Sequence, residues 1–265
     1  MVFGKRSIIT LAVLAVILGL VYYFLMNRGI TYIWHWEQIP QMLFYYGTRF
    51  AYETKPSLHL GVLMIGFILT LKISAVAIVF AIVLGTVLGI CRLSSEPITR
   101  GIAFTFVEII RNTPLLVQIY IIYFFAGSML RLSAFAAGTA ALAIFEGAYV
   151  GEIVRAGIQS IHKGQAEAAR SLGMSYAKAM RHVILPQAFK RIVPPLAGQF
   201  ISLIKDSSLV SVIALADLMF QGQQAVARTY SAFEIYFTVA ALYLVMTSTL
   251  SMATQYIERR LAVSD

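Results

Sequence analysis

Charge is what this sequence has least of. Asp, Glu, Lys and Arg make up 12% of its 265 residues, against 59% hydrophobic residues and a mean hydropathy of +0.79. A soluble domain carries about 25% charged residues. The shortage excludes a chain that meets water on every side and implies a polytopic membrane protein. Cysteine is nearly absent too. Cys91 stands alone, which excludes an intrachain disulfide and a cysteine-based zinc site. His35, His59, His162 and His182 are scattered, and no H-E-x-x-H spacing appears. There is no G-x-x-x-x-G-K-[S/T] loop; Gly4-Lys5 is followed by Arg6 and lacks the upstream glycine. There is no G-x-S-x-G elbow, which argues against an intramembrane hydrolase. No catalytic residue and no metal ligand is assigned, and the chain itself is expected to hold no cofactor.

What is present is long apolar runs. A spanning helix needs about 20 such residues. Six segments qualify, near 7–26, 61–91, 101–130, 134–155, 192–222 and 233–257. The expected fold is therefore an all-α membrane protein with six transmembrane helices. A cleaved signal peptide competes for the first run, but that run ends YYFLMN and offers no small-residue cleavage site, which favours a retained helix. Residues 27–60, with Trp34, Trp36, Tyr45 and Tyr46, read as an outer-surface segment of short interfacial helices. With the N-terminus inside, thirteen Lys and Arg fall in inner segments, five in outer ones and three within spans, of 21 in all. This positive-inside bias predicts cytoplasmic N- and C-termini and accounts for the net charge of +9.

The longest inner stretch, Arg155 to Arg191, contains EAARSLGMSYAKAMRHVILP (167–186). A first helix should run to Leu172 and end at Gly173 in a left-handed turn. Ser175 is a good N-cap for a second helix, which Pro186 is expected to stop. This is also how a helix-turn-helix DNA reader looks. No soluble domain surrounds it, however, and spans hold both its ends at the membrane, so no nucleic-acid partner is expected. Ala168, Ala169, Leu172, Tyr176, Ala179, Met180 and Val183 fit an apolar stripe. Two readings follow: an amphipathic hairpin lying on anionic membrane lipid, or an apolar knob fitting a groove in a cytoplasmic partner.

The residues of this stretch carry a family resemblance. Glu167-Ala168-Ala169, three residues, Gly173, nine residues, then Val183-Ile184-Leu185-Pro186 resembles the EAA motif of permease subunits of ABC importers, with Val183 in place of the usual Ile. EIVRAGIQSIHKGQAEAARSLGMS (152–175), RNTPLLVQ (111–118) and LIKDSSLVSVI (203–213) resemble the polar-amino-acid branch of that family. The likeness runs from about Leu60 to Arg260. It implies a five-helix type I importer core over 61–260, with a cytoplasmic coupling loop at 156–191. Residues 1–60 then add an N-terminal transmembrane helix and an extracytoplasmic segment. It further implies a bacterial inner-membrane protein that moves amino acids, acidic, neutral or basic, and hydrolyses nothing itself. The implied partners are two ATP-binding subunits that hold the ATP and Mg, a second permease copy or relative, and an extracytoplasmic solute-binding protein. Glu167, Ala168, Ala169, Leu172, Gly173 and Met174 would meet the ATPase.

Ionisable residues inside spans are costly and are functional candidates. Lys72, Glu146, Lys205 and Asp206 lie roughly 17–20 Å into their spans at about 1.5 Å per residue. With Ser207 and Ser208 they form the candidate solute pathway. Glu146 either pairs with a basic residue such as Lys72 or Lys205, or meets the ammonium group of the solute. Lys205 and Asp206 have a structural reading as well, pairing with each other or with neighbouring helices. Asn112 and Thr113 are expected to satisfy backbone groups freed by Pro114, and Glu152 to pair with Arg155. A secondary, ion-coupled transporter is the alternative on composition alone; it would need no docking loop.

Overall fold

The structure, a computed structural model, describes residues 15–16, 19–20, 22–23, 32–47 and 57–261, with the side chains of 257–261 excepted. The expected first span, 7–26, lies largely outside the described residues. Contacts divide the chain into Met1–Trp36 and Glu37–Asp265. In the first unit, Tyr32, Trp34 and Trp36 form a run of ring contacts with centroids 5.0 and 5.9 Å apart. Everything below concerns the second.

That unit opens with a short helix, α1 (Ile39–Leu43), started by Pro40, and an antiparallel hairpin of β1 (Phe44–Gly47) and β2 (Ser57–Leu60). Phe44 pairs with Leu60 and Gly47 with Ser57. The hairpin corrects the expectation of helices alone between 27 and 60. β1 alternates in burial, and Tyr45 stacks on His59 at 5.1 Å, so a cross-strand aromatic pair holds the register.

The long helix α2 (Val62–Arg92) follows. It is apolar all round, and its buried positions include Gly66, Thr70, Ala77, Ala81, Gly85 and Gly89, small residues about one turn apart. Such a face lets two backbones approach, which is how helices associate where lipid removes the hydrophobic drive. Along Gly85 and Gly89 the partner is α6 (Ala134–Gln159), which presents Gly147 and Gly151, whereas Gly66 and Thr70 meet Asp217 and Leu218.

Between them lies the first large departure from expectation. The span drawn at 101–130 is not one helix. It is α3 (Pro97–Arg111), a break at Asn112–Pro114, and then α4 (Leu115–Tyr120), a π-helical stretch (Ile121–Gly127) and α5 (Ser128–Leu130), with a bend of 105° at the break. Pro114 cannot donate to Ile110, and the freed carbonyl needs another partner.

After α6 the chain makes α7 (Lys163–Ser171) and α8 (Tyr176–Ala179). Pro186 does not stop the second helix. A π-helical stretch (Met180–Ile184) leads straight into α9 (Leu185–Asp206), where Pro186 occupies the first turn and needs no donor. Gln187 donates to the Val183 carbonyl at 2.9 Å. The result is a 38-residue helical run, Tyr176–Ile213, closed by a 3-10 stretch from Ser207 to Ile213. The span drawn at 192–222 is corrected likewise. Ala214 turns left-handed at φ 56°, and Asp217 caps a separate helix, α10 (Leu218–Thr229), by accepting from Phe220 N at 2.9 Å. The last helix is α11 (Ala232–Leu261).

Among the described residues, four helices are long and apolar enough to cross a membrane, or five if the bent pair is one span. Three buried clusters knit the bundle. One centres on Ile73, Leu142 and Leu203, one on Leu63, Leu218 and Ile235, and one on Val150, Ile184 and Ala188. The third ties the α7–α8 hairpin to the ends of α6 and α9, and it is the platform on which the first candidate site stands.

Candidate functional site

The hairpin at 163–179 is built by its caps. His162 Nδ1 accepts from Gly164 N at 3.1 Å and starts α7. Gly173, at φ +82°, ends it: Gly173 N donates to Arg170 O at 2.9 Å and Met174 N to Ala169 O at 3.1 Å. This pair of bonds is a Schellman turn, and its left-handed position suits glycine. Ser175 Oγ then accepts from Lys178 N at 3.4 Å and starts α8.

The expected apolar stripe is divided between two faces. Ala169 and Ala179 are buried, and Met180 and Val183 pack inward on the third cluster. Leu172 and Tyr176 point the other way, 80% and 71% exposed, with Glu167 and Ala168 beside them in the open. Met174 is half-buried. Behind this knob, Arg191 donates to Ser160 O at 2.6 Å, closing the base of the hairpin against the end of α6. The hairpin is thus anchored on one side and holds Leu172 and Tyr176 out among charged residues on the other.

The mid-depth residues do not form one site. Glu146 on α6 is fully buried, and Gln199 Nε2 on α9 donates to its Oε2 at 2.7 Å. Its Oε1 has no hydrogen-bond partner. Among the described residues Glu146 makes no ion pair, so the expected pairing with Lys72 or Lys205 is not realised. Gln199 stands in that place; one Gln in an apolar run gives no sign in the sequence of where its amide points. Lys205 and Ser208 line an open cavity of about 310 Å3 together with Tyr236 and Tyr243 from α11. Asp206 is half-buried. Ser207 is buried and spends its hydroxyl on Ile204 O at 2.7 Å, so it points at its own helix. Lys72 lies on an exposed face of α2 and does not line the cavity.

At the break before α4, the Asn112 and Thr113 side chains meet neighbouring carbonyls and not the Ile110 carbonyl that Pro114 frees. Asn112 Nδ2 donates to Glu108 O at 2.8 Å, and Thr113 Oγ1 donates to Ile109 O. The Ile110 carbonyl is met by a residue that sequence reading did not single out: buried Gln118 donates to it at 2.8 Å and to Thr113 O at 3.1 Å. Glu152 does pair with Arg155, and it also accepts from Arg92 at 2.6 Å, across from α6 to α2.

A family described as the binding-protein-dependent transport system inner membrane component matches residues 77–263. The chain belongs to this family. The permease is similar to a probable glutamine ABC transporter permease protein of Bacillus subtilis (strain 168), with 44% identity over 202 residues, 76% of this chain and 94% of the relative. It is similar to the glutamine transport system permease protein of Escherichia coli (strain K12), with 41% identity over 198 residues, 74% of this chain and 90% of the relative. Among solved structures it resembles a chain of an amino acid ABC transporter crystallised with histidines, at a TM-score of 0.71 and 45% identity, covering 75% of this chain and 94% of that one. A methionine ABC transporter in an inward-facing conformation, 21% identical with a TM-score of 0.65, shares the fold. The permease is therefore a multi-pass inner-membrane transport component with the type I importer fold, and the secondary-transporter alternative falls away.

Proposed function

We propose that the permease moves amino acids into the cytoplasm as half of a membrane pore driven by separate ATPase subunits. The observation that carries this is the 44–45% identity to amino-acid ABC permeases along most of their length, together with the exposed Leu172–Tyr176 knob. A knob of this kind fits a groove in a partner. Its rigid backing lets partner motion be passed to α6 and α9, in the manner of packed elements that shift as units. Glu167, Ala168, Ala169, Leu172, Gly173 and Met174 form the ATPase contact. Two ATP-binding subunits holding ATP and Mg, a second permease subunit and an extracytoplasmic solute-binding protein complete the assembly. The chain crosses the membrane six times with both ends inside, residues 1–60 supplying the first span and an outer segment. Solute passes Lys205, Asp206 and Ser208, with Ser207 shaping the turn. Lys72 faces the pathway in the assembled pair, and the unpartnered Glu146 Oε1 is the acceptor for the solute's ammonium group.

The test is Leu172→Asp and Glu167→Lys in the assembled transporter. Both side chains are exposed, so folding should survive. Loss of a buried anchor at an interface is worth about 2 kcal/mol or more, and solute-stimulated ATPase activity and uptake should fall together. Wild-type uptake in both variants would sink the docking assignment. Glu146→Gln separately reads the pathway: uptake should change its preference among amino acids of different charge, and an unchanged preference removes Glu146 from the solute's path.

A further inference from the structure

One face of the β1–β2 hairpin is apolar and uncovered. Phe44 stands opposite Leu60, and Tyr46 opposite Leu58. Residues opposite one another across a pair of strands, or two apart along one strand, share a face of the sheet. These four side chains therefore form one surface, and Phe44, Tyr46, Leu58 and Leu60 are 46%, 73%, 70% and 41% exposed. The other face carries Tyr45 and His59. Tyr45 lines a cavity of about 520 Å3 with Gln41 of α1, Val62 and Ile65 of α2 and Thr229 of α10; Leu60, at the root of β2, borders it as well. That face is turned to the bundle, so Phe44, Tyr46 and Leu58 are turned away from it.

The hairpin is fixed to the start of a helix long and apolar enough to cross the membrane. Gly61 alone separates β2 from α2. Gly61 N donates to Leu43 O at 2.8 Å, and a Cβ there would meet Met42 O at 2.2 Å. Met42 and Leu43 in turn pack on the cluster of Leu63, Leu218 and Ile235. The chain of α1 and the hairpin is thus clamped against the first turn of α2. Tyr46 and Leu58 lie two residues beyond Phe44 and Leu60, about 7 Å along the strands. That distance is comparable with the headgroup layer flanking the hydrocarbon core, roughly 5–7 Å deep.

Charge separates this face from the other exposed apolar group on the chain. Around Leu172 and Tyr176, Glu167, Arg170 and Lys178 stand exposed, and a polar rim of that kind is what a water-soluble partner meets. From Gln38 to Gly47 and from Ser57 to Leu71 there is no Asp, Glu, Lys or Arg. Tyr, Phe and Leu without charge are the side chains that the boundary between headgroups and acyl chains takes up. We propose that the Phe44, Tyr46, Leu58 and Leu60 face lies in the lipid interface on the side of the bilayer where α2 begins, and that it holds the start of α2 at that depth. The proposal is the same whichever side that is.

The experiment places a nitroxide at Leu58→Cys or at Tyr46→Cys in an otherwise cysteine-free complete transporter in phospholipid nanodiscs. Both side chains are exposed, so the labels should leave the fold intact. Oxygen, which concentrates in lipid, should relax both labels more than a nickel chelate, which stays in water. A label at Ser57→Cys, exposed on the opposite face, should show a lower ratio of oxygen to nickel access. Free access of the nickel chelate to 46 and 58 would put the face in water and overturn the proposal. Exclusion of both relaxants would put it against protein, either another subunit or a second copy of this chain, and overturn it too. The same holds if both are excluded only once a solute-binding protein is added. Equal ratios at 57 and 58 would show that lipid does not distinguish the two faces, and would overturn the assignment of this one.

Discussion

Gly85 and Gly173 are both required to be glycine, for opposite reasons. A Cβ at Gly85 would meet Val150 Cβ at 2.5 Å and Gly147 O at 2.6 Å, so the α2–α6 seam has no room for it. A Cβ at Gly173 would meet nothing within 4 Å, and there the constraint is the backbone at φ +82°. The first glycine is a matter of space between two helices, the second of local conformation at an exposed turn. The seam is where this permease holds together, and the turn is where it offers a surface. Damage to the one should therefore read out as loss of the folded protein, and damage to the other as loss of coupling in a protein that still folds.

The largest effect is expected from Gly85→Leu. Overpacking a tight contact costs about 1–3 kcal/mol and more where backbone blocks relaxation. Thermal unfolding in detergent should show a strongly lowered midpoint or no folded peak, whereas Gly198→Ala, with open space at its Cβ, should match the wild type. If Gly85→Leu unfolds like the wild type, the seam is not what holds α2 to α6.

Next comes Glu152→Gln. Arg92 is nearly buried, and its partner across the helix pair is 2.6 Å away. Breaking a fully buried pair costs about 3–5 kcal/mol. Glu152 keeps a quarter of its side chain exposed, so solvent screening should reduce this to roughly 1–2 kcal/mol. The loss should be larger at low salt, and an unfolding midpoint independent of the substitution would make the pair a surface contact only.

Gly173→Ala should cost about 1 kcal/mol of local strain, little of it visible in the unfolding of the whole bundle. Uptake should nevertheless drop, because the Schellman turn sets the angle of Leu172. If stability falls as far as in Gly85→Leu while uptake per folded molecule is kept, the contrast between seam and turn is wrong.

The smallest effect concerns pH at the start of α3. The Glu96 carboxyl is held below its usual range, first by the Thr99 backbone N–H, then by the Thr99 side chain and the Ile98 N–H. A depressed folded value means the cap stabilises α3 above the unfolded carboxylate range and is lost as pH falls through the folded value. Protection of the 98–100 amides, taken against the intrinsic exchange rate at each pH, should fall on acidification and do so less in Glu96→Gln; equal falls in both would remove the carboxylate from the cap.

How much of this was legible beforehand differs from residue to residue. The turn at Gly173 was readable because a Schellman motif depends on neighbours in sequence. So was the weakness at Asn112–Pro114, since a proline always frees a carbonyl. The size of that bend was not readable, nor that Gln118 would fill the gap. Pro186 was misread as a stop because the π-helical stretch that carries the chain through it is a property of the longer run packed around it. The 101–130 and 192–222 stretches were apolar enough to be drawn as straight spans, yet composition says only that a segment tolerates lipid. The division of the 168–183 stripe into buried Ala169 and Ala179 and exposed Leu172 and Tyr176 required a second surface to pack against.

The sequence by itself determined the solvent of this protein, the caps and turn of its 163–179 hairpin, and the family whose motif that hairpin carries. These follow from composition and from contacts a few residues apart, where chain connectivity sets the geometry. The tertiary structure decided what each long-range group met. It put Gln199 rather than a lysine against Glu146, Arg92 against Glu152, and Gln118 against the carbonyl that Pro114 frees. Residues fifty or sixty positions apart are brought together only by the packing of whole helices, and no local signal records which side chain will be opposite.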